Sequence, residues 1–277
     1  MIGSKQEKKS YKEKAIIKEG DLTNKRGSAL IKFLPSTITI SAFCVGLTSI
    51  RLALFHRWEL AIFCIFISAV LDALDGKVAR LIGQSSQFGA QLDSLSDLVC
   101  FGVAPAIVLF QISNRLLGSI GWGICMFFTV CCALRLARFN AEMLQNEEKS
   151  EREKKYFKGV PAPAGAILAV FPMILFFQTD NYVFLNPLCV SCGLLISGGL
   201  MISCLRTFSS KIIEIDNGSA PVALLCISFL VIFLITDIWL TLAVLVTLYL
   251  FSIPLGIYRY AQTKECKVLN KSTCCSE

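Results

Sequence analysis

Residues 71–106 read LDALDGKVARLIGQSSQFGAQLDSLSDLVCFGVAPA. Four aspartates, Asp72, Asp75, Asp93 and Asp97, lie in or beside stretches otherwise apolar enough to be helices in a membrane. An aspartate at the centre of such a helix costs about 2.5–3.5 kcal/mol on insertion scales. Four of them together need a compensating cation or a water-filled cavity. Asp72 and Asp75 are spaced i, i+3, and Asp93 and Asp97 i, i+4, so each pair shares one helix face. The intervening LIGQSSQFGAQ carries two Gly and two Ser, enough to turn the chain back. Two antiparallel helices then bring both pairs together. Carboxylates that close repel unless a metal is bound, and hard oxygen donors suit Mg²⁺, Mn²⁺ or Ca²⁺ rather than zinc. Gly76 and Gly89 let a ligand or a second backbone approach closely. Arg80, on the same helix end, supplies a guanidinium suited to a phosphate ester. Metal, arginine and glycine together point to a pyrophosphate-bearing substrate.

The composition around this stretch is that of a membrane protein. Of 277 residues 55% are hydrophobic and 17% charged, and the mean hydropathy is +0.64. A soluble domain carries about 25% charge. A spanning helix needs about 20 mostly apolar residues. Eight candidate spans follow: 34–54, 58–75, 92–112, 118–139, 162–178, 181–204, 219–236 and 238–260. Very short polar breaks near Thr179-Asp180-Asn181 and Thr236-Asp237 separate the fifth from the sixth and the seventh from the eighth. Each of these pairs reads either as a hairpin or as one long buried segment.

The formal charge of +7 is not a nucleic-acid footprint. With both termini and the 2–3, 4–5 and 6–7 loops cytoplasmic, 24 of the 27 Lys and Arg fall on one side. That is the positive-inside pattern. It fixes an even number of spans, and six satisfies it as well as eight. The expected architecture is an all-α, polytopic transmembrane bundle over 34–260. A basic cytoplasmic or interfacial segment (1–33) precedes it and a polar, cysteine-containing tail (261–277) follows. Residues 1–33 lack the short apolar core and cleavage site of a removable signal peptide. Most of the thirteen cysteines lie in apolar runs, where they act as small hydrophobes. Cys189 and Cys192 form a lone CxxC, which does not make a zinc site.

The set D-x2-D-G-x2-A-R-x8-G-x3-D-x3-D, running from Asp72 to Asp97, resembles the signature of the CDP-alcohol phosphatidyltransferase family. The resemblance extends over about Leu34–Tyr260. It implies that Asp72, Asp75 and Asp93 ligate two divalent cations, Mg²⁺ or Mn²⁺. It implies that Asp97 completes the metal site and is the general base. Asp72, Gly76, Ala79, Arg80, Ser86 and Gly89 would line the cytidine diphosphate pocket, at the cytoplasmic face of a bacterial inner membrane, in a homodimer. The family usually has Asn after the Pro that opens helix 1. Here Ser36 follows Pro35, while Thr39 keeps its place.

Several stretches resemble the serine-accepting branch of that family: Asp93-Ser-Leu-Ser-Asp97 with Phe101-Gly-Val-Ala-Pro105, Arg135-Leu-Ala-Arg-Phe-Asn140, Phe157-Lys-Gly-Val-Pro-Ala-Pro163, and Leu200-Met-Ile-Ser203 with Thr207-Phe-Ser209. The implied reaction is transfer of the phosphatidyl group from CDP-diacylglycerol to L-serine. Arg135, Arg138 and Lys158 are candidates for the serine carboxylate, and Asn140 for either polar group. Arg135 and Arg138 are i, i+3, so one helix face can present both. The same four residues also serve as ordinary flanking residues of a membrane helix. The alternatives are another acceptor (glycerol 3-phosphate, inositol phosphate or choline) or a cation-coupled transporter, since intramembrane carboxylates also mark ion pathways.

Overall fold

Several helices start or stop where the sequence supplies a reason. The computed structural model describes residues 35–82, 87–145, 157–158, 160–203, 206–207 and 220–252. The expected basic segment and cysteine-bearing tail lie outside these residues. Helices α1 (Pro35–Leu54) and α2 (Trp58–Ile82) come first. Helix α3 runs as Gln87–Asp97, a π-helical turn Leu98–Val103 and Ala104–Ile112. Helices α4 (Gly118–Gln145), α5 (Ala162–Thr179), α6 (Pro187–Ile202), α7 (Ala220–Thr236) and α8 (Ile238–Ser252) follow. A two-residue ladder, β1 (Phe157–Lys158) and β2 (Arg206–Thr207), is antiparallel and sets Lys158 opposite Arg206.

The protein is thus a polytopic helical bundle, with the eight expected helices present. Four apolar stretches, Pro35–Leu54, Phe88–Ile112, Asn114–Glu142 and Ala162–Thr179, are each long and apolar enough to cross a membrane. The bounds differ from expectation. Helix α2 runs on to Ile82 rather than stopping at 75, α3 starts at Gln87 rather than 92, and α4 reaches Gln145 rather than 139. Hydropathy marks where the hydrocarbon slab ends. The backbone goes on winding through Lys77, Arg80 and Leu81, all good helix formers.

Both short breaks are true breaks. Asp180 ends α5 in the left-handed region (φ 51°), its N–H donating to Phe176 O at 2.8 Å. Asn181 then accepts from Val183 N at 3.1 Å and opens the 3₁₀ turn Tyr182–Leu185. Helix α6 therefore starts at Pro187, not 181, behind Asn186, whose side chain accepts from Leu188 N at 3.0 Å. Proline fits that first turn because its missing N–H has no helical partner there. At the other break Asp237 Oδ1 accepts from Leu240 N at 3.1 Å and caps α8. Leu225 of α7 and Leu248 of α8 line one groove, so the chain folds back at Asp237.

Helices α4 and α5 pack most extensively on α6, and the π turn of α3 lies against α4 and α5. In lipid the drive for helix association is close packing, not water exclusion. Gly165 of α5 abuts Met201 of α6 with no room for a Cβ, and Ser197 donates to the Gly165 carbonyl. Gly46 of α1 meets Cys100 of α3 in the same way. Cys100, Cys125, Cys131 and Cys132 are buried free thiols, in keeping with their reading as small hydrophobes. At the end of α3 far from the aspartates, Ser113 donates to Leu185 O at 2.7 Å. Ser191 donates to Asn114 Oδ1 at 3.2 Å, and Asn114 Nδ2 to Cys125 Sγ at 3.7 Å. These bonds tie α3, α4 and α6 together.

Candidate active site

Helix α2 continues past Asp72 and Asp75, so both sit inside a helix rather than at its end. Asp93 and Asp97 lie within α3, and only four residues separate α2 from α3. The two helices bring Asp72, Asp75 and Asp93 together. One carboxylate oxygen from each lies within 4.8 Å of the others, with Asp75 buried and Asp72 and Asp93 half-buried. Asp97 is placed differently: it is not one of the three converging carboxylates, and its carboxyl neighbours that of Asp72. Three carboxylates at this separation, partly withdrawn from water, repel one another. A hard divalent cation among them removes that repulsion, and an all-oxygen donor set is what Mg²⁺ and Mn²⁺ take. The residues present therefore fit such an ion.

The surroundings fix the carboxylates in place. Thr39 of α1, itself buried, donates from Oγ1 to Asp75 Oδ2 at 2.7 Å. A hydroxyl bonded to a ligating carboxylate orients it and tunes its basicity. Arg135 of α4 is half-buried, with Asp97 and Asp72 among its electrostatic neighbours. The π turn begins one residue after Asp97. A π turn carries an extra residue, and such insertions cluster at functional sites. Here it sets the phase between the acidic half of α3 and the packed half, and Thr129 donates to the Gly102 carbonyl at 3.3 Å beside it.

The remaining expected residues fall into two groups. Gly76 and Gly89 lie in α2 and α3 beside the acidic cluster. Ala79 and Arg80 continue α2 beyond Gly76, but their side chains lie outside the described residues, as does the whole of Ser86. Among the acceptor candidates whose side chains are described, Arg135 is the one with Asp97 and Asp72 as electrostatic neighbours. Arg138 is exposed and donates from Nη1 to Ile202 O at 3.2 Å, whereas Arg135 is half-buried. Asn140 Nδ2 donates to Ser94 Oγ at 2.9 Å, which ties the end of α4 to the acidic face of α3. Lys158 stands in the short ladder opposite Arg206, and its side chain lies outside the described residues. Sequence reasoning left Thr39 without a role, although it noted that this residue kept its place. A hydroxyl in an apolar helix carries no periodic signal that separates a ligand-holder from a helix-packing group.

The family model for CDP-alcohol phosphatidyltransferases matches residues 32–203, which include all four aspartates. The chain belongs to this family. CDP-alcohol phosphatidyltransferase sequence thus spans α1–α6, and α7 and α8 lie beyond the match. Among curated relatives, a Mycobacterium leprae protein named CDP-diacylglycerol–serine O-phosphatidyltransferase is 44% identical over 147 residues, 52% of this chain and 48% of that protein. Proteins of the same name from Helicobacter pylori and Bacillus subtilis are 36% and 35% identical. The first match covers 55% of this chain and 60% of the relative, the second 50% and 75%. The chain spans about half the length of the mycobacterial relatives it matches.

Proposed function

We propose that the chain transfers the phosphatidyl group of CDP-diacylglycerol to the hydroxyl of L-serine, giving phosphatidylserine and CMP. The convergence of Asp72, Asp75 and Asp93 inside the family match carries this reading. The names of the mycobacterial, Helicobacter and Bacillus relatives favour serine as the acceptor. Asp72, Asp75 and Asp93, with Asp97 beside them, would hold two divalent cations, Mg²⁺ or Mn²⁺. When bound, these neutralise charge on the pyrophosphate oxygens and on the departing CMP.

The chain's own residues do the positioning. Gly76 and Gly89 leave room for the nucleotide, with Ala79, Arg80 and Ser86 completing its pocket and Arg80 pairing with its phosphates. Asp97 takes the proton of the serine hydroxyl as that oxygen bonds to the β-phosphorus. The bond from the β-phosphorus to the bridging oxygen breaks, and the electron pair leaves on CMP. Arg135 is the leading anchor for the serine carboxylate, with Arg138, Asn140 and Lys158 as further acceptor contacts. The site faces the cytoplasm from a bacterial inner membrane, in a homodimer, with the lipid substrate entering from the bilayer.

The test is CMP release by the purified full chain with CDP-diacylglycerol and Mg²⁺ or Mn²⁺. Serine, glycerol 3-phosphate, inositol phosphate and no acceptor are run in parallel. Release with serine alone, lost on chelation, is the expected result. Release with a different acceptor overturns the serine assignment, and release indifferent to chelator overturns the metal centre.

A further inference from the structure

Helix α8 lies beyond the family match, yet one of its faces is buried in the bundle. Leu242, Ala243 and Val246 are buried, and Tyr249 continues that face one turn on, packed against the core. The spacing 242, 246, 249 is that of one helix face. Tyr249 therefore points inward, although it stands within an apolar run of the sequence.

Three buried side-chain atoms among the described residues lack hydrogen-bond partners, Ser68 Oγ, Arg135 Nε and Tyr249 Oη, and the last two belong together. The two side chains are electrostatic neighbours, and Arg135 also neighbours Asp97 and Asp72. Buried polar atoms are nearly always paired, so an orphan asks for an explanation. Arginine Nε can only donate, and a tyrosine hydroxyl donates readily. Two unused donors, one of them on a guanidinium, describe a place for an anionic group with two oxygens.

We infer that Tyr249 of α8 joins Arg135 of α4, and that the two donate to the anionic group of the acceptor alcohol. This rests on the reading of Arg135 as the acceptor's anchor and extends it to a helix outside the family domain. A serine carboxylate accepting from Arg135 Nε and Tyr249 Oη is held at one end, while its hydroxyl is free to reach toward Asp97. Tyr249 is in this role a specificity residue, since an acceptor without the anion gains nothing from it.

The experiment compares the full-length protein with Tyr249→Phe and Arg135→Lys, singly and together. Lysine keeps the charge and removes the Nε donor. The substrates are serine and serinol, which has the hydroxyl and the amine but no carboxylate. Tyr249→Phe should raise KM for serine about tenfold, the effect of removing one hydrogen bond to a charged group. KM for CDP-diacylglycerol and kcat/KM for serinol should stay within about twofold, as expected when the missing hydrogen bond is to the carboxylate alone. The double variant should lose less than the product of the two single losses, because the donors share one ligand. An unchanged serine KM overturns the assignment. So does an equal loss for serine and serinol, a matching rise in the liponucleotide KM, or fully multiplicative single effects. If the wild type turns over a different anionic acceptor, the serine reading fails by itself, and the same KM comparison on that acceptor decides the role of Tyr249.

Discussion

At the scale of the residue, the placement of the four aspartates is the central point. Asp72, Asp75 and Asp93 converge on one volume, whereas Asp97 neighbours Asp72 from outside that set. A group that only ligates and a group that moves a proton should respond differently to loss of charge. Asp97→Asn should lower CMP release by at least about a thousandfold, the upper part of what a positioned general base contributes, while equilibrium binding of CDP-diacylglycerol persists. Near-normal turnover would remove Asp97 from the base role. Thr39 supplies a second, quantitative case. Thr39→Val keeps the shape and removes the donor to Asp75 Oδ2. The Mg²⁺ or Mn²⁺ concentration for half-maximal activity should rise about 10- to 100-fold, the usual cost of losing a group that supports a ligand. An unchanged cation requirement would reduce Thr39 to a packing residue. The aspartates were legible in the sequence because charge in an apolar segment is costly and therefore conspicuous. Thr39 and Tyr249 were not, since in an apolar run a hydroxyl that packs between helices looks the same as one that serves a site.

At the scale of the element, α3 is the helix that the site depends on most. Its first part carries the acids, its last part is buried in the bundle, and the π turn Leu98–Val103 joins them. One residue corresponds to about 100° of rotation in an α-helix. Deleting Val99 should let the turn relax to ordinary α-helix and swing Asp93 and Asp97 by that amount relative to Ala104–Ile112. CMP release should vanish while far-UV circular dichroism and detergent gel filtration stay as in the wild type. Activity retained after the deletion would mean that the π turn does not aim the acids. The helices themselves were readable from hydropathy, and their ends were not. The run from Gly76 to Ile82 is too polar for hydrocarbon but winds on as helix, so the aspartates lie deeper along their helices than the apolar spans suggested.

At the scale of the whole molecule, the membrane-spanning bundle and the position of its acidic centre followed from composition, charge asymmetry and one spaced pattern. The packing of the last helix did not. Nothing in an apolar run tells which of its faces meets protein and which meets lipid, because both surroundings are equally greasy. Only the folded chain separates the inward face of Leu242, Ala243 and Val246 from exposed neighbours such as Val244 and Leu248.

The hydrogen bonds of Ser113, Asn114 and Ser191 have a mechanical consequence. They pin three helices at one end of α3, about 24 Å along the helix from Asp97 at 1.5 Å per residue. The acidic end is tied as well, α4 to α3 through Asn140 and Ser94 and α1 to α2 through Thr39 and Asp75. A rod pinned at both ends cannot swing about either, so a bulky lipid nucleotide enters between walls that are already held. Spin labels at Leu116 and Leu188 should then give a narrow distance distribution. Labels at Gln91 and Ala137 should give one of similar width, unchanged when Mg²⁺ and CDP-diacylglycerol are added. A broad distribution at the acidic end that sharpens on addition would mean that the bundle flexes to admit its substrate.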